Sequence, residues 1–194
     1  MNQSQDILRW FDNMQNPIPA WYLKGYEVWD VLDKDGNKTG RFHERGKPMT
    51  PEDHHLIIHV WIMNTKKEFL ISKRTPNKLY PNMWECTGGS AVAGDDSLTT
   101  ALKEVREELG VALNAESGRL YKRCVYEYEN GGSDFLDAWL FHQDVSLSNI
   151  TFQPDETCDA MWAGADKIRE MMKTGEFLSE KFYPYFDEMV EMWG

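Results

Sequence analysis

The sequence predicts an α+β domain in which a mixed β-sheet is combined with a few helices. The run Leu56–Met63 is short, apolar and rich in β-branched and aromatic residues, and Phe69–Arg74 returns as a partner after a polar turn, as is typical of buried strands. The segment Ser97–Leu109 instead repeats its apolar residues at helical spacing. The 194 residues contain no internal repeat or linker-like tract, so we expect one structural unit.

The N-terminal part of the chain predicts a helix and a hairpin arm. The helix, at 7–16, is stopped by two prolines. A strand-like run at 27–32 then leads through an Asp-Gly turn signal into a polar stretch. We therefore distinguish an arm at residues 1–50, which packs on the core or reaches a second subunit, from a main domain at 51–194.

The remainder of the main domain predicts further strands and two late helices. The expected strands lie at 84–92, where two glycines interrupt the run, and at 121–129, 135–142 and 157–162. The glycine-rich stretch 130–133 is a hairpin signal between two of them. The expected helices lie at 165–173 and 179–192.

Composition restricts the partners and the compartment. A net charge of −11 argues against a nucleic acid polymer, because phosphate contacts need a basic surface. It is compatible with a small phosphorylated substrate whose charge is met by divalent cations. Three widely spaced cysteines, Cys86, Cys124 and Cys158, fit reduced thiols in the cytoplasm. We expect no membrane span and no signal peptide, because the apolar runs are too short.

The helix Ser97–Leu109 carries the most informative pattern. Ser97 is the expected N-cap, and a glycine follows where the helix should end. Glu104, Glu107 and Glu108 share one flank, apart from the apolar stripe. Three neighbouring carboxylates indicate either a solvated acidic face or a site for hard cations such as Mg²⁺. The helix alone leaves both interpretations open.

The spacing around this helix resembles the signature of the Nudix hydrolase superfamily. In that signature a glycine, an acid, a basic–acidic pair, a glutamate pair and a final glycine–aliphatic pair follow one another at fixed intervals. The corresponding residues are, in order, Gly89, Asp95, Lys103, Glu104, Glu107, Glu108, Gly110 and Val111. In the family, the first acid and the basic residue pair with each other and brace the loop–helix–loop. Asp95 and Lys103 stand where the family has glutamate and arginine, so this pair is altered here although its charges are kept.

The resemblance implies a fold, an activity and a set of site residues. The fold is an α/β/α sandwich with a mixed sheet and a loop–helix–loop catalytic motif. The activity is metal-dependent cleavage of the diphosphate linkage of a nucleoside diphosphate derivative or another organic diphosphate, with Mg²⁺ or Mn²⁺ as cofactor. Glu104, Glu107 and Glu108 are implied as metal ligands and catalytic residues, and the carbonyl of Gly89 joins the ligands. A homodimer through the N-terminal arm is a hypothesis drawn from the same family.

Further candidates lie outside the motif. Glu156 stands where many members of the family place an acidic ligand or base, with Asp155 as its rival, and a simple turn-capping role fits either residue equally well. Lys73, Arg74 and Lys78 are candidates for gripping substrate phosphates, or are surface charges at a strand end. Four aromatic residues are candidates for stacking a base or for the core: Tyr80, Trp84, Trp139 and Trp162.

Two other functions are weighed against hydrolysis. The arm, the strand containing His59 and the Lys-Arg pair before a tryptophan resemble an isopentenyl diphosphate isomerase-like subgroup, but Cys86 lies too early for the cysteine that the isomerase needs. A non-catalytic nucleotide-binding domain is disfavoured because the Glu107–Glu108 pair is present. His54 and His55 complete no zinc-ligand set with a nearby cysteine.

Overall fold

The protein is described by a computed structural model that covers residues 27–128 and 132–193. The helix expected at 7–16 and residues 130 and 131 of the expected hairpin turn lie outside these residues. The described strands are β1 Val28–Leu32, β2 Lys38–Glu44, β3 Leu56–Met63, β4 Phe69–Arg74, β5 Trp84–Glu85, β6 Thr87–Ser90, β7 Gly118–Glu127, β8 Ser133–His142 and β9 Thr157–Ala163. The helices are α1 Ser97–Leu109, α2 Ala165–Thr174 and α3 Phe186–Trp193.

The strands form two sheets, which confirms the α+β class. β1 and β2 pair as an antiparallel hairpin. The second sheet has seven strands in the order β5-β4-β3-β8-β7, with β6 paired to β3 and β9 paired to β4. The long register between β4 and β9, from Phe69 opposite Ala163 to Arg74 opposite Thr157, brings the segment before β9 beside the end of β4. That placement matters for the site.

The described residues divide into two compact units. The first comprises 27–58, 89–100 and 123–137, and the second comprises 59–88, 101–122 and 138–193. In the first unit the β1–β2 hairpin is fixed by backbone hydrogen bonds from Leu32 N–H to the His54 carbonyl (2.7 Å) and from Ala93 N–H to the Val28 carbonyl (2.7 Å). The described part of the arm is thus hydrogen-bonded to residues 54 and 93 of the same chain, and its contact with a second subunit stays a prediction.

The second unit is built around an aromatic core. The Trp61 ring is fully buried and lies 4.8 Å from the Phe186 ring and 5.4 Å from the Phe69 ring, between centroids. Burial of such large rings supplies much of the apolar area that drives folding. This core joins β3, β4 and α3, and β4 carries the candidate residues Lys73 and Arg74. Within the described chain, no helix is both long and apolar enough to cross a membrane.

Two predicted elements are wrong in detail. The strand expected at 84–92 is two short strands separated at Cys86, because β5 pairs with β4 whereas β6 pairs with β3. The helix expected at 179–192 is a 3₁₀ turn, Glu180–Phe182, followed by α3. Pro184 breaks it, because proline offers no N–H donor and disfavours helical geometry in the residue before it.

Candidate active site

The helix α1 begins at Ser97, but its N-cap is the preceding residue. Thr99 N–H donates to the Asp96 carboxylate at 2.7 Å, and Thr100 N–H donates to the Asp96 carbonyl at 2.9 Å. The hydrogen bond from Thr99 holds the pKa of Asp96 below its usual value. The prediction of Ser97 as N-cap is therefore wrong by one position, because Ser97 already lies in the first turn.

The C-terminal end of α1 agrees with the prediction. Gly110 has a φ of +67°, and its N–H donates to the Arg106 carbonyl at 3.0 Å. A side chain at Gly110 would meet Thr151 at about 3.0 Å, so a glycine is needed here for space as well as for backbone conformation. This glycine ends the helix one residue after Leu109.

The three glutamates of α1 lie in different environments. Glu107 is exposed, Glu104 is half-buried, and Glu108 is only 5% exposed. A uniformly solvated acidic face is therefore excluded. Backbone hydrogen bonds tie the end of the helix to the segment that carries the other predicted acids, since Gln153 N–H donates to the Glu108 carbonyl at 3.0 Å.

Glu108 is a buried carboxylate with an unsatisfied oxygen. Burial raises the pKa of Glu108 well above its usual value; Glu85, Glu104 and Glu156 add to the rise, and Lys78 opposes it. Its Oε2 atom has no hydrogen-bond partner among the described residues. A buried, unpaired acceptor costs stability unless something cationic offsets it. The environment of Glu108 thus fits a cation-binding role.

Glu85 belongs to this cluster and was not predicted. It lies on β5, is only 9% exposed, and accepts a 2.6 Å hydrogen bond from Arg74 Nη1. Burial raises the pKa of Glu85, against the opposing effect of Arg74. The signal available in the sequence was a lone acidic residue within an expected buried strand, which calls for a partner.

The three predicted basic residues have separate positions. Arg74 contacts Glu85, and Lys78 forms an ion pair with Glu156. Lys73 instead places its Nζ atom 5.7 Å above the ring of Trp84. The structure therefore brings two of the three predicted cations to carboxylates of the cluster.

The rival acids before β9 are distinguished by their contacts. Glu156 faces Lys78 and contributes to the electrostatic environment of Glu108, as noted above. Asp155 has a φ of +67°, and its carbonyl accepts a hydrogen bond from Thr75 Oγ1 at 2.8 Å. Glu156 is thus the acid that joins the cluster, and Asp155 shapes the turn.

The remaining residues of the motif lie in both units. Gly89 and Asp95 belong to the first unit, where the Asp95 carbonyl accepts a 3.2 Å hydrogen bond from Lys38 Nζ. Lys103 belongs to the second unit and is exposed. Over residues 27–128 and 132–193, no three His, Cys, Asp or Glu side chains form a ready-made metal site. The donors around Glu108 nevertheless have the hard oxygen chemistry that Mg²⁺ and Mn²⁺ prefer.

The histidines and cysteines have other environments. His59 Nδ1 lies 2.8 Å from the Tyr185 hydroxyl, and burial lowers the pKa of His59 to about 3, so the ring is neutral. The three cysteines are free thiols, of which Cys86 is buried. Cys158 is exposed and Cys124 is half-buried.

Comparison with known proteins identifies the family. A model of the NUDIX domain matches residues 53–186. The chain belongs to the Nudix family. It is 37% identical to an uncharacterized Nudix hydrolase of Listeria monocytogenes, over 82% of this chain and 90% of that protein. These similarities identify it as a Nudix hydrolase.

Two further comparisons concern fold and subgroup. A Deinococcus radiodurans protein of known crystal structure has the same fold as this Nudix hydrolase, with a TM-score of 0.66 at 20% identity, covering 86% of this chain and 98% of that one. The isopentenyl-diphosphate Delta-isomerase 1 of Photorhabdus laumondii is 28% identical over 75% of this chain and 84% of that protein. The resemblance to the isomerase-like subgroup is thereby confirmed.

Proposed function

We propose that this Nudix hydrolase is metal-dependent and cleaves the diphosphate linkage of a nucleoside diphosphate derivative or another organic diphosphate. The observation that carries the proposal is the environment of Glu108, which is buried, has an unpaired oxygen and lies among other carboxylates. An arrangement of this kind is costly by itself and becomes favourable once divalent cations are bound.

The ligands proposed for those cations are the carboxylates of Glu104, Glu107 and Glu108, together with the Gly89 carbonyl. Divalent cations, when bound, supply charge neutralisation at a diphosphate and lower the pKa of water. The residues of the chain then hold this charge at a fixed position on a rigid helix. Asp95 and Lys103 are proposed to brace the motif, in place of the glutamate and arginine of the family.

The substrate contacts and the general base come from the neighbouring loops. Glu156 is proposed to accept the proton from the attacking water, since it is the acid that joins the cluster. Lys78 and Arg74 are proposed to meet phosphate oxygens, because each of them reaches a carboxylate of the cluster. Lys73 keeps a peripheral phosphate role in this proposal, as its ammonium lies over Trp84.

Charge-neutral variants test the proposal directly. We expect Glu107→Gln and Glu108→Gln to fold normally and to lose turnover by about two orders of magnitude or more, because each would weaken the binding of the cations that neutralise the transition state. The measurement is phosphate or nucleotide release from nucleoside diphosphate derivatives, dinucleotide polyphosphates and isoprenoid diphosphates, with and without Mg²⁺ or Mn²⁺. Glu188→Gln, an exposed site on α3, is the matched control. Full turnover by both variants, or turnover that survives metal removal, would contradict the proposal.

Isomerisation of isopentenyl diphosphate is the second candidate, and the similarity to an isopentenyl-diphosphate isomerase favours testing it, although Cys86 lies too early in the sequence for the isomerase cysteine. Cys86 is buried, and burial together with nearby Glu85 raises the pKa of its thiol well above the usual value, so the thiol is protonated. Double-bond migration without diphosphate cleavage would identify an isomerase. The migration is detected by the incorporation of deuterium from deuterated water. Phosphate release without migration would identify the hydrolase.

A further inference from the structure

The loop of residues 75–82, between β4 and β5, is fastened to the segment that carries Glu156. Thr75 N–H donates to the Glu156 carbonyl at 3.1 Å, and its hydroxyl donates to the Asp155 carbonyl. Lys78 adds the ion pair with the Glu156 side chain. Three contacts between two short segments thus define where the loop begins, directly beside the carboxylate cluster.

The same loop holds an unusual backbone. Tyr80 and Asn82 have φ values of +56° and +61°, in the left-handed region that side chains disfavour. Such conformations persist only where surrounding contacts over-determine them, and they concentrate at functional sites. The second half of the loop therefore depends on a contact that holds it in place.

Arg74 supplies that contact. Its Nε donates to the Leu79 carbonyl at 2.7 Å, while its Nη1 donates to Glu85 at 2.6 Å. Both side chains of the Arg74–Glu85 pair are largely buried, at 13% and 12% exposed. A planar guanidinium can satisfy two acceptors at fixed angles, which a lysine cannot do. One side chain thus connects the tip of the loop to a carboxylate of the cluster.

The tip that Arg74 holds is apolar and faces solvent. Leu79 is 74% exposed and Tyr80 is 39% exposed. The Tyr80 ring packs edge-on against Phe182 at 5.5 Å between centroids. The tip is therefore an apolar and aromatic surface. Arg74, which bonds both the Leu79 carbonyl and Glu85, holds this surface close to the buried Glu85.

We propose that Glu85 is a positioning residue: through Arg74 it fixes the 75–82 loop, so that Leu79 and Tyr80 contact the apolar or aromatic part of the substrate's organic group and set specificity. The inference rests on the proposed diphosphate hydrolysis. A purely stabilising role explains the pair poorly, since the desolvation of a buried ion pair offsets much of its attraction. Burying Glu85 beside Glu108 adds like-charge repulsion to that cost.

The test combines kinetics with amide hydrogen exchange. Two diphosphate substrates are compared that share the diphosphate and differ in the size of the organic group. We expect Glu85→Gln to raise KM about tenfold for the substrate with the larger apolar group, as loss of one charge-assisted hydrogen bond would, with a smaller change in kcat. Because Glu85 acts through Arg74, the variants Glu85→Gln and Arg74→Gln should be strongly non-additive in the double variant.

A second variant and a second readout separate this inference from the proposed function. Leu79→Ser, on the exposed tip, should reduce the preference for the larger organic group while leaving the melting temperature unchanged. Amide exchange of residues 75–82 should accelerate in Glu85→Gln but not in Asp187→Asn, which removes an exposed arginine–carboxylate pair instead.

The outcomes are distinct. An active wild type whose substrate preference is the same in Glu85→Gln and Leu79→Ser would overturn the specificity role. Unchanged exchange of the loop in Glu85→Gln would overturn the positioning role, whatever the activity. A wild type inactive on every diphosphate would instead overturn the proposed function, and the exchange experiment would still decide whether Glu85 holds the loop.

Discussion

At the scale of single residues, the three glutamates of α1 share one flank of the helix but lie in different environments. The sequence places Glu104, Glu107 and Glu108 on one flank of a helix, and it gives no reason to rank them. The structure buries Glu108 and exposes Glu107, because the end of α1 packs against the segment before β9. Desolvation therefore opposes the charge of Glu108, whereas the side chain of Glu107 is exposed.

This difference predicts that the variant Glu108→Gln is more stable than the wild type, although it is expected to be less active. Because the pKa of Glu108 is raised in the folded state, its contribution to stability is present below the ordinary carboxyl pKa and is lost as the pH rises. Without metal at pH 8, we expect Glu108→Gln to increase the free energy of unfolding by about 1 kcal/mol or more, because it removes a buried charge that has no hydrogen-bond partner at one oxygen.

Urea unfolding across pH 4 to 8 measures this effect, and Glu107→Gln is the matched control at an exposed site. The gain should shrink toward pH 4, where both states of the wild type bind the proton. A Glu108→Gln variant that is no more stable than Glu107→Gln at pH 8 would contradict the account of a costly buried charge.

At the scale of elements, the local sequence pattern predicts which residues form a helix or strand, whereas packing decides where the element begins and which strand it pairs with. The period of the apolar residues predicted α1, and a short apolar run rich in β-branched and aromatic residues, with a partner run after a polar turn, predicted β3 and β4. The N-cap was misplaced because Asp96 and Ser97 are both good capping residues, and only the backbone decides between neighbours. The switch at Cys86 depends on which strands β5 and β6 pair with, and no local pattern encodes a partner.

The cap assignment gives a prediction at this scale. Asp96→Ala should lower the stability of the protein by about 1 kcal/mol, because it removes the acceptor for the Thr99 N–H. Ser97→Ala should cost less, since alanine is favourable in the first turn. Thermal or urea unfolding of the two variants, measured side by side, checks the order. The reverse order would restore Ser97 as the N-cap.

At the scale of the whole molecule, the acidic character and the site are connected. The chain carries a net charge of −11, yet its cluster brings Glu85, Glu104, Glu108 and Glu156 close together. In the proposed function, bound divalent cations offset this negative charge where the anionic substrate meets the cluster. The division into an arm at 1–50 and a domain at 51–194, the cytoplasmic location and the homodimer through the arm stay predictions. Size exclusion of the full chain against one lacking the first 50 residues or so tests the last.

For the whole fold, we predict that binding of a divalent cation raises the thermal stability of the protein. A ligand that binds only the folded state stabilises it, by about 2.7 kcal/mol at a hundredfold excess over its Kd. We expect Mg²⁺ or Mn²⁺ to raise the melting temperature of the wild type and of Glu188→Gln, but much less that of Glu108→Gln. Differential scanning fluorimetry, with Na⁺ matched for ionic strength, measures it. Equal shifts in all three proteins would indicate non-specific screening of charge.

The sequence by itself determined the class of fold, the helix that carries the glutamates and the family, because periodicity and motif spacing are local properties of the chain. Only the tertiary structure decided that Glu108 is buried, that Glu156 rather than Asp155 joins it, and that Glu85 and Arg74 connect the cluster to the 75–82 loop. Burial and partnership arise between segments distant in sequence. They depend on how strands pair, and spacing along one segment carries no record of that.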